Sequence, residues 1–244
     1  MTETLKDQDA RMLAVVTARG GSKRLPGKNM RLLGGKPLVL WSIETALQAA
    51  RICDVLVSTD DPAIADAARS AGVLVPWLRP SLLGGDETPS ADVCIHALDW
   101  YEAERGVVDG LVLLQPTSPF RRRATIERGI DLFCGNGRRP IVAVSNARSH
   151  PHRSYRIEND GMRPFTRKGR RETRAQQLEP AYAVNGALYV VSPRDLRKRR
   201  SFYGSDMLPL ILSDPAEAID IDTEWDWMIA ETVLARCAAQ GTNA

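Results

Sequence analysis

Cysteine is scarce in this 244-residue sequence, which contains four: Cys53, Cys94, Cys134 and Cys237. They are widely spaced and form no C-x-x-C pair, so the sequence predicts neither a disulfide framework nor a zinc ribbon. Long hydrophobic runs are missing too, and none approaches the roughly 20 residues that a membrane-spanning helix needs. The first eleven residues are polar and of mixed charge, which is atypical of a secretory signal. We therefore expect a cytoplasmic protein with no membrane partner.

Aromatic residues are also few, at 6% of the chain, and the net charge is only +3. Neither value favours a nucleic-acid-binding protein, and the chain has no RNP-like or KH-like motif. The charge is unevenly distributed, because residues 148–200 contain 14 Lys or Arg against 5 Asp or Glu. A solvated basic face accounts for most of these residues, and the sharper interpretation is that a few bind an anionic small molecule. The alternative from another class is an RNA-binding module that uses the arginines of 163–174 and 194–200.

Strand-like and helix-like segments alternate along the chain. The predicted strands cover residues 12–17, 54–58, 73–77, 110–114, 141–145, 186–191, 210–212 and 218–221. The predicted helices begin at Pro37 and at Pro62, where Asp61 is the expected N-cap, and cover 91–104, 125–133 and 224–238. This alternation is typical of a wound, mostly parallel α/β sheet with helices on both faces. In such a sheet the loops that follow the strands share one edge, where ligands normally bind.

The alternation breaks between residues 146 and 183. This stretch is rich in arginine and proline and has too few apolar residues for a core of its own. We therefore predict one α/β domain made of residues 1–145 and 184–244, interrupted by an arm at 146–183. The arm is expected to pack on a partner chain and to contribute to dimerisation and to the substrate site.

The loop after the first predicted strand has the composition of a polyphosphate site. Residues 17–29 read TARGGSKRLPGKN, in which three glycines allow tight turns and let several backbone N–H groups converge on one anion. Arg19, Lys23, Arg24 and Lys28 add four positive charges, and we expect no acidic residue to offset them. The loop is not a Walker A motif, because five residues separate Gly21 from Gly27 and Asn29 replaces the Ser or Thr. An ordinary basic loop between a strand and a helix is the alternative.

Two carboxylates near the end of the chain form a candidate metal site. In a strand, Asp220 and Asp222 would project from the same face, while Ile219 and Ile221 would pack on the other. Two parallel carboxylates repel each other unless a cation lies between them, and Mg²⁺ takes one or two carboxylates together with phosphate oxygens. The alternative is a solvated strand end in which Asp222 caps the following helix.

Two further segments follow predicted strands. Residues 115–119, QPTSP, contain two prolines that fix the backbone and leave Gln115 as a rigid polar group. Arg79 lies beyond the third predicted strand, where a guanidinium could reach a base or a phosphate. His150 and His152 lack a third ligand, so we do not interpret them as a metal site.

Taken together, these segments resemble the acylneuraminate cytidylyltransferases, the CMP-sialic acid synthetases. The resemblance runs from about residue 14 to residue 234 and keeps the family's order: ARGGSKRLPGKN (18–29), STDDPAIAD (58–66), LRP (78–80), LLQPTSPFR (113–121), NGALY (185–189) and IDIDTEWD (219–226). It implies a Rossmann-like fold of the nucleotide-sugar transferase type. It also implies CTP and a 2-keto sugar acid as substrates, Mg²⁺ or another divalent cation as cofactor, and a homodimer whose arm reaches into the partner's site.

The resemblance also assigns residues to roles. Nucleotide binding would fall to Ala18, Arg19, Gly20, Ser22, Lys23, Lys28, Asn29 and Arg79, and the catalytic residues would be Arg19, Lys28 and Asp222. The sugar acid would contact Gln115, Arg174, Gln176 and Asn185, and Asp220 with Asp222 would bind the metal. The sequence departs from the family at Ala175 and Ala183, where members often carry arginines that face the sugar acid. Arg174 is the expected substitute for the first.

The expected reaction is a single displacement on CTP by the anomeric hydroxyl of a nonulosonic acid. Nothing in the sequence resembles an activated nucleophile with its base, so no covalent enzyme intermediate is expected. A 3-deoxy-manno-octulosonate cytidylyltransferase is the nearest alternative, and residues 24–28, RLPGK, would suit it. A further alternative is a protein that binds nucleotide as a regulator and has no catalytic activity.

Overall fold

A computed structural model describes residues 10–166, 174 and 177–239. Its strands are β1 (Met12–Thr17), β2 (Leu32–Leu33), β3 (Lys36–Pro37), β4 (Ile52–Ser58), β5 (Gly110–Leu114), β6 (Ile141–Asn146), β7 (Tyr155–Glu158), β8 (Gly161–Pro164), β9 (Tyr182–Val191) and β10 (Leu208–Ile211). Its α-helices are α1 (Leu38–Gln48), α2 (Pro62–Ser70), α3 (Ser90–Arg105), α4 (Arg123–Gly135), α5 (Pro193–Arg199) and α6 (Glu224–Ala239). Short 3₁₀ turns cover Lys28–Met30, Ser81–Leu83 and Pro151–Arg153.

Six of the strands form one mixed sheet in the order β10-β6-β9-β5-β1-β4. The pairs β1/β4, β1/β5 and β10/β6 are parallel, whereas β9 runs antiparallel to both of its neighbours, β5 and β6. The predicted wound and mostly parallel α/β sheet is therefore confirmed, with one antiparallel strand inside it. Because β9 is reversed, its beginning lies at the edge where the parallel strands end.

Burial on both faces explains why β1 is apolar from Met12 to Val16. Ala14 and Val16 belong to the core under α1, α2 and α4, whereas Leu13 and Val15 belong to the core under α3 and α5. Successive side chains in a strand point to opposite faces, so a strand covered on both sides must be apolar at every position. Helices on both faces, as the sequence predicted, follow from this pattern.

Asp61 is the N-cap of α2, as predicted. Its Oδ1 accepts hydrogen bonds from the backbone N–H groups of Ala63, at 2.8 Å, and Ile64, at 3.2 Å. Pro62 fills the first helical position, where its missing N–H costs nothing. The cap thus satisfies two of the free donors at this helix end.

Two predicted strands are wrong. Residues 73–77 contribute one isolated bridge, between Leu74 and Leu56, and Pro76 cannot donate to a longer ladder. Residues 218–221 form a turn and an extended stretch, in which the N–H of Ile221 donates to the carbonyl of Thr117 at 2.8 Å rather than to a neighbouring strand. The Ile side chains at 219 and 221 are nevertheless buried, as the alternating pattern predicted.

Other bounds shift by a few residues. β9 starts at Tyr182, four residues earlier than predicted, and the small β2/β3 hairpin inside the long loop before α1 had no sequence signal that we recognised. α6 ends one residue later than predicted. Strand and helix ends are the part of a fold that local sequence specifies least.

The segment between β6 and β9 leaves the main sheet and returns to it at neighbouring positions of the two strands. Asn146 pairs with Tyr182 across the two strands, and the N–H of Ala147 donates to the carbonyl of Ala181 at 2.8 Å. Within the segment, β7 and β8 form an antiparallel hairpin. The division into a domain and an arm at 146–183 stays a prediction.

All four cysteines have free thiols. Among the described residues, no helix has both the length and the apolar character required to traverse a bilayer.

Candidate active site

A cleft of about 560 Å³ lies where β1 and β5 end. Among the predicted site residues, those lining it are Arg19, Ser22, Lys23, Lys28, Asn29, Arg79, Gln115 and Asp222. Residues 17–29 and Asp222 lie about two hundred positions apart in the chain, and the fold brings them to one cavity. This juxtaposition at the carboxyl edge of the parallel strands is what the sequence predicted.

Lys28 joins the glycine-rich loop to the acidic segment. It begins a 3₁₀ turn after Gly27, whose φ of 64° lies in the left-handed region that glycine adopts readily. Its Nζ donates to the carbonyl of Ile221 at 2.6 Å and to Asp222 Oδ1 at 3.0 Å. Only 10% of the Lys28 side chain is exposed, so this ammonium is held in one position by two oxygen acceptors.

Carboxylates from other parts of the chain compensate cations of the glycine-rich loop. The expectation that no acidic residue offsets them is therefore wrong. Asp86, from the loop before α3, forms ion pairs with Arg19 and Lys23, and Arg24 lies 3.3 Å from Asp222 Oδ2. The hydrogen bond from Lys23, followed by that from Arg19, holds the pKa of Asp86 below its usual range. The loop alone could not reveal these partners, because they come from distant positions. An anion entering the cleft must compete with these carboxylates.

Asn29 and Gly20 hold the loop backbone in shape, and of these two Asn29 also lines the cleft. Asn29 Nδ2 donates to the carbonyl of Arg19 at 2.8 Å and so closes the loop. The N–H of Gly20 donates to Asp60 Oδ1 at 3.0 Å, and a Cβ on Gly20 would lie 2.5 Å from Asp61 Oδ2. Ala18 is buried. Ala18 and Gly20 are outside the set of lining residues.

Arg79 lines the cleft as a buried cation with 5% of its side chain exposed. Its Nη2 lies 3.5 Å from Asp60 Oδ1, and its Nε has no hydrogen-bond partner among the described residues. Burial lowers the pKa of the guanidinium, and the neighbouring Asp60 carboxylate opposes that shift. A buried donor with an unused hydrogen is available to a polar ligand in the cleft.

The two carboxylates of the acidic segment have different surroundings. Asp222 lines the cleft, whereas Asp220 points toward Thr117 and Gly186, with its Oδ2 3.8 Å from the Cβ position of that glycine. Although the Asp220 side chain has an exposed edge, the protein atoms around it desolvate the carboxyl and raise its pKa. The hydrogen bond from Thr117 opposes that shift and the Asp222 charge adds to it.

The cap of α6 is formed without the Asp222 carboxylate. Asp226 Oδ2 accepts from the N–H of Asp222 at 3.1 Å, and from the N–H and hydroxyl of Thr223 at 2.8 and 2.7 Å. Thr223 Oγ1 accepts in turn from the N–H of Asp226. This reciprocal cap leaves the Asp222 carboxylate free to meet Lys28.

A second cleft of about 260 Å³ adjoins the first. It is lined by Pro89, Ser90, Ala91, Leu113, Gln115, Tyr189, Arg200, Ser201, Phe202 and Tyr203. Gln115 and Ser90 line both clefts, so the two cavities meet at these side chains. The hydroxyls of Tyr189 and Tyr203 lie 3.4 Å apart.

Asn185 and Gly186 stand behind Gln115. Gly186 has a φ of 75°, and a Cβ on it would lie 2.6 Å from Gln115 Oε1. Asn185 Oδ1 accepts from the N–H of Ala187 at 3.1 Å, while its buried Nδ2 has no partner among the described residues. Glycine is required here both by the backbone and by the close approach of the Gln115 amide.

Of the remaining predicted substrate residues, the structure describes Arg174. Arg174 is exposed and lines neither cleft. Gln176 and Ala175 lie outside the described residues, and Ala183 is an exposed residue of β9. His150 Nε2 lies 3.0 Å from the carbonyl of Glu179.

Sequence reasoning missed Arg121, which is fully buried behind Gln115. Its guanidinium donates to the carbonyl of Gln115 at 2.9 Å, to Ser42 Oγ at 3.2 Å and to the carbonyl of Ala187. Burial lowers the pKa of Arg121 to about 9. Sequence reasoning also missed three residues in the wall of the first cleft: Asp86, Thr88 and Ser90. An arginine after a Pro-rich turn or a polar loop before a helix has no distinctive local pattern.

Comparison with known proteins gives a consistent result. A cytidylyltransferase family model matches residues 13–130. The CMP-N,N'-diacetyllegionaminic acid synthase of Legionella pneumophila is 38% identical over 232 residues, 92% of this chain and 96% of that protein. An N-acylneuraminate cytidylyltransferase of Streptococcus agalactiae is 28% identical over 88% of this chain, which spans about half (51%) of that relative. The solved structure of a CMP:2-keto-3-deoxy-manno-octonic acid synthetase with CTP superposes with a TM-score of 0.69 at 19% identity, covering 93% of this chain and 99% of that one. At that identity the superposition shows the fold alone.

Proposed function

The chain belongs to the cytidylyltransferase family that includes the CMP-nonulosonic acid synthases, and we propose that it joins CMP from CTP to the anomeric hydroxyl of a nonulosonic acid. Pyrophosphate is the second product. The relative at 38% identity is named for a diacetyllegionaminic acid and aligns over nearly its whole length. The octulosonate alternative has a likeness of fold and the RLPGK segment at 24–28 in its favour.

One observation carries the proposal: Lys28 Nζ lies 3.0 Å from Asp222 Oδ1 in the wall of the first cleft. A cation from the glycine-rich loop and a carboxylate from the acidic segment therefore face the same space. Arg19, Lys23 and Arg24 surround that space with further positive charge. A triphosphate is the ligand class that such a cavity suits, because it offers several anionic oxygens along one chain.

The chemistry is a single displacement at the α-phosphorus of CTP. The anomeric oxygen forms the new P–O bond, the bond to pyrophosphate breaks, and the hydroxyl proton is released. Lys28, Arg19 and Lys23 would hold the phosphates in line and compensate the charge that builds on the leaving group. Fixed donors in a partly closed cleft stabilise such charge without having to reorganise.

The acidic pair fits a magnesium ion, which we propose as cofactor. Asp220 and Asp222 are close enough for the charge of one to raise the pKa of the other. No group of three or more His, Cys, Asp or Glu side chains in the described part of the chain could hold a metal. Two carboxylates completed by phosphate and water oxygens are the usual environment of Mg²⁺. When bound, the ion would supply a Lewis acid that polarises phosphate oxygens.

The second cleft would take the sugar acid. Gln115 and Ser90 line both cavities, so a molecule in the second cleft lies next to a nucleotide in the first. Tyr189, Tyr203 and the Gln115 amide offer hydroxyl and amide groups for the hydroxyls of a sugar, and Phe202 offers an apolar surface. Arg121 holds the carbonyl groups on both sides of this junction and so positions Gln115.

We further propose a homodimer in which the hairpin β7/β8 contacts the partner. Three apolar side chains of the hairpin region are exposed: Ile157 by 70%, Met162 by 66% and Phe165 by 69%. A two-stranded hairpin with exposed apolar side chains is marginally stable unless another surface covers it.

The free thiols of the protein support a reducing, cytoplasmic location.

A pyrophosphate-release assay tests the function. The enzyme would be incubated with CTP, Mg²⁺ and one acid from a panel: N-acetylneuraminate, legionaminate, pseudaminate, the deaminated nonulosonate or the octulosonate. We expect release with at least one nonulosonic acid and little when UTP or ATP replaces CTP. Release with the octulosonate alone would support the alternative substrate, and no release with any acid would overturn the proposal.

A further inference from the structure

The second cleft contains one cationic side chain among the described residues that line it, Arg200. The other lining side chains are hydroxyl, amide or apolar groups. A nonulosonic acid carries one anionic group, its carboxylate. A ligand of that class therefore needs a cation in its cavity, and Arg200 is the described lining residue that can supply it.

The backbone of Arg200 is unusual. It has φ 48° and ψ 36°, the left-handed conformation, at the C-cap of α5. Helices that end in this way normally use glycine or asparagine there, because a Cβ makes the conformation unfavourable. The backbone conformation of Arg200 is therefore unfavourable for a residue with a long side chain. Non-glycine residues in the left-handed conformation concentrate at functional sites.

The guanidinium is oriented yet has donors to spare. One of its nitrogens, Nη2, lies 2.6 Å from Asp92 Oδ1 in the first turn of α3. Ser90, two residues before Asp92, lines both clefts. The Arg200 side chain is 64% exposed and can meet a ligand without losing its contact with Asp92. A guanidinium presents five N–H donors in a planar fork that matches the two oxygens of a carboxylate.

We propose that Arg200 binds the carboxylate of the sugar acid. In a 2-keto sugar acid the carboxyl group and the anomeric hydroxyl are attached to the same carbon. A residue that holds the carboxylate therefore also limits where the attacking oxygen can point. Arg200 is thus a substrate-binding residue that orients the nucleophile relative to the nucleotide in the first cleft.

The test is Arg200→Gly, with a control that matches it closely. Glycine relieves the backbone conformation, so the variant should fold as well as the wild type. The control is Arg138→Gly, because Arg138 also has a positive φ, of 60°, and also pairs with an aspartate, Asp109, at 2.9 Å. Arg138 lines neither cleft. Melting temperature would be measured for both variants.

We expect Arg200→Gly to raise the KM for the sugar acid by about tenfold to a hundredfold, the usual value of a hydrogen-bonded ion pair. The KM for CTP should change by less than about threefold, and Arg138→Gly should behave like the wild type. The carboxamide analogue of the sugar acid supplies a second readout. Wild type and Arg200→Gly should use it equally poorly, since the charge that Arg200 recognises is gone.

The inference rests on the proposed function, and the outcomes separate the two. An unchanged KM for the acid in Arg200→Gly, or a variant that still prefers the acid to its carboxamide as strongly as the wild type does, overturns the role of Arg200 alone. A wild-type protein that uses no acid of the panel overturns the function and this role with it.

Discussion

Replacing Lys28 with methionine removes one charge from the centre of the first cleft. The side chain keeps its length and its packing, but Asp222 and the carbonyl of Ile221 lose the ammonium that lies 3.0 and 2.6 Å from them. Among the described residues, Asp222 then keeps one ion-pair partner, Arg24, whose side chain is 71% exposed and lies 3.3 Å away. The substitution thus affects both the phosphate-binding charge and the position of a proposed metal ligand.

Two magnitudes follow. Hydrogen bonds to charged groups contribute about 1.5–3 kcal/mol, so the free energy of unfolding should fall by about that amount and the melting temperature by roughly 5 °C. Removing a fixed donor to a developing charge costs about 3–4 kcal/mol in the transition state, which corresponds to a turnover lower by roughly a hundredfold to a thousandfold. Turnover should therefore suffer far more than folding.

The assay compares kcat at a temperature well below both melting transitions, so that every molecule counted is folded. Lys36→Met is the matched control, because Lys36 also pairs with a carboxylate, Glu44, but lies outside the first cleft. We expect the control to keep normal turnover. The double variant Lys28→Met with Asp222→Asn should lose little more than either single variant, because the two side chains act as one unit. A kcat for Lys28→Met within about threefold of the wild type would refute the reasoning.

Three further predictions concern the acidic pair and the junction of the clefts. Burial raises the pKa of Asp220, so its charge opposes folding above that pKa; Asp220→Asn should raise the melting temperature at pH 7, with the gain fading as the pH falls toward 4, while turnover is lost. A lower melting temperature at pH 7 would contradict this. EDTA should abolish turnover reversibly while shifting the melting temperature by less than about 2 °C, because Lys28 and Arg24 already compensate Asp222; turnover that survives EDTA would exclude the metal. Gly186→Ala should lower stability by about 1–2 kcal/mol, measured by denaturant unfolding, because its φ is positive. It should also raise the KM for the sugar acid more than that for CTP, because the new Cβ displaces Gln115, and equal increases would place Gln115 elsewhere.

The sheet could be predicted because its strands are buried on both faces. β1 and β5 were placed with correct bounds since a strand covered on two sides is a short, uninterrupted apolar run. The direction of β9 could not be predicted, because apolar composition is the same for parallel and antiparallel strands. Apolar and polar residues alternate over 218–221 as in a strand, yet the N–H of Ile221 donates to a loop carbonyl. The alternation therefore indicated which side chains are buried and not that the segment pairs with a strand.

The first cleft was predictable to the extent that its residues follow strands or form compact motifs. Lys28 and Asp222 could be expected to meet because both segments were assigned to one edge of the sheet. The compensation of Arg19 and Lys23 by Asp86 could not, since it depends on how a loop some sixty positions away folds back. Arg200 escaped notice for a similar reason: in the sequence it is the last of several cations at a helix end, and its place in a cavity is a property of the fold.

The excursion between β6 and β9 begins and ends on paired neighbours, Asn146 and Tyr182, at the ligand edge of the sheet. The pairing of β6 with β9 fixes both ends of this segment. Its length and sequence can therefore vary while the first cleft, which is built from other strands, stays intact. Grafting the equivalent segment from a relative onto this scaffold would therefore test whether the segment contributes to sugar preference. The first cleft would be retained in such a graft, so any change in acceptor choice could be assigned to the segment itself.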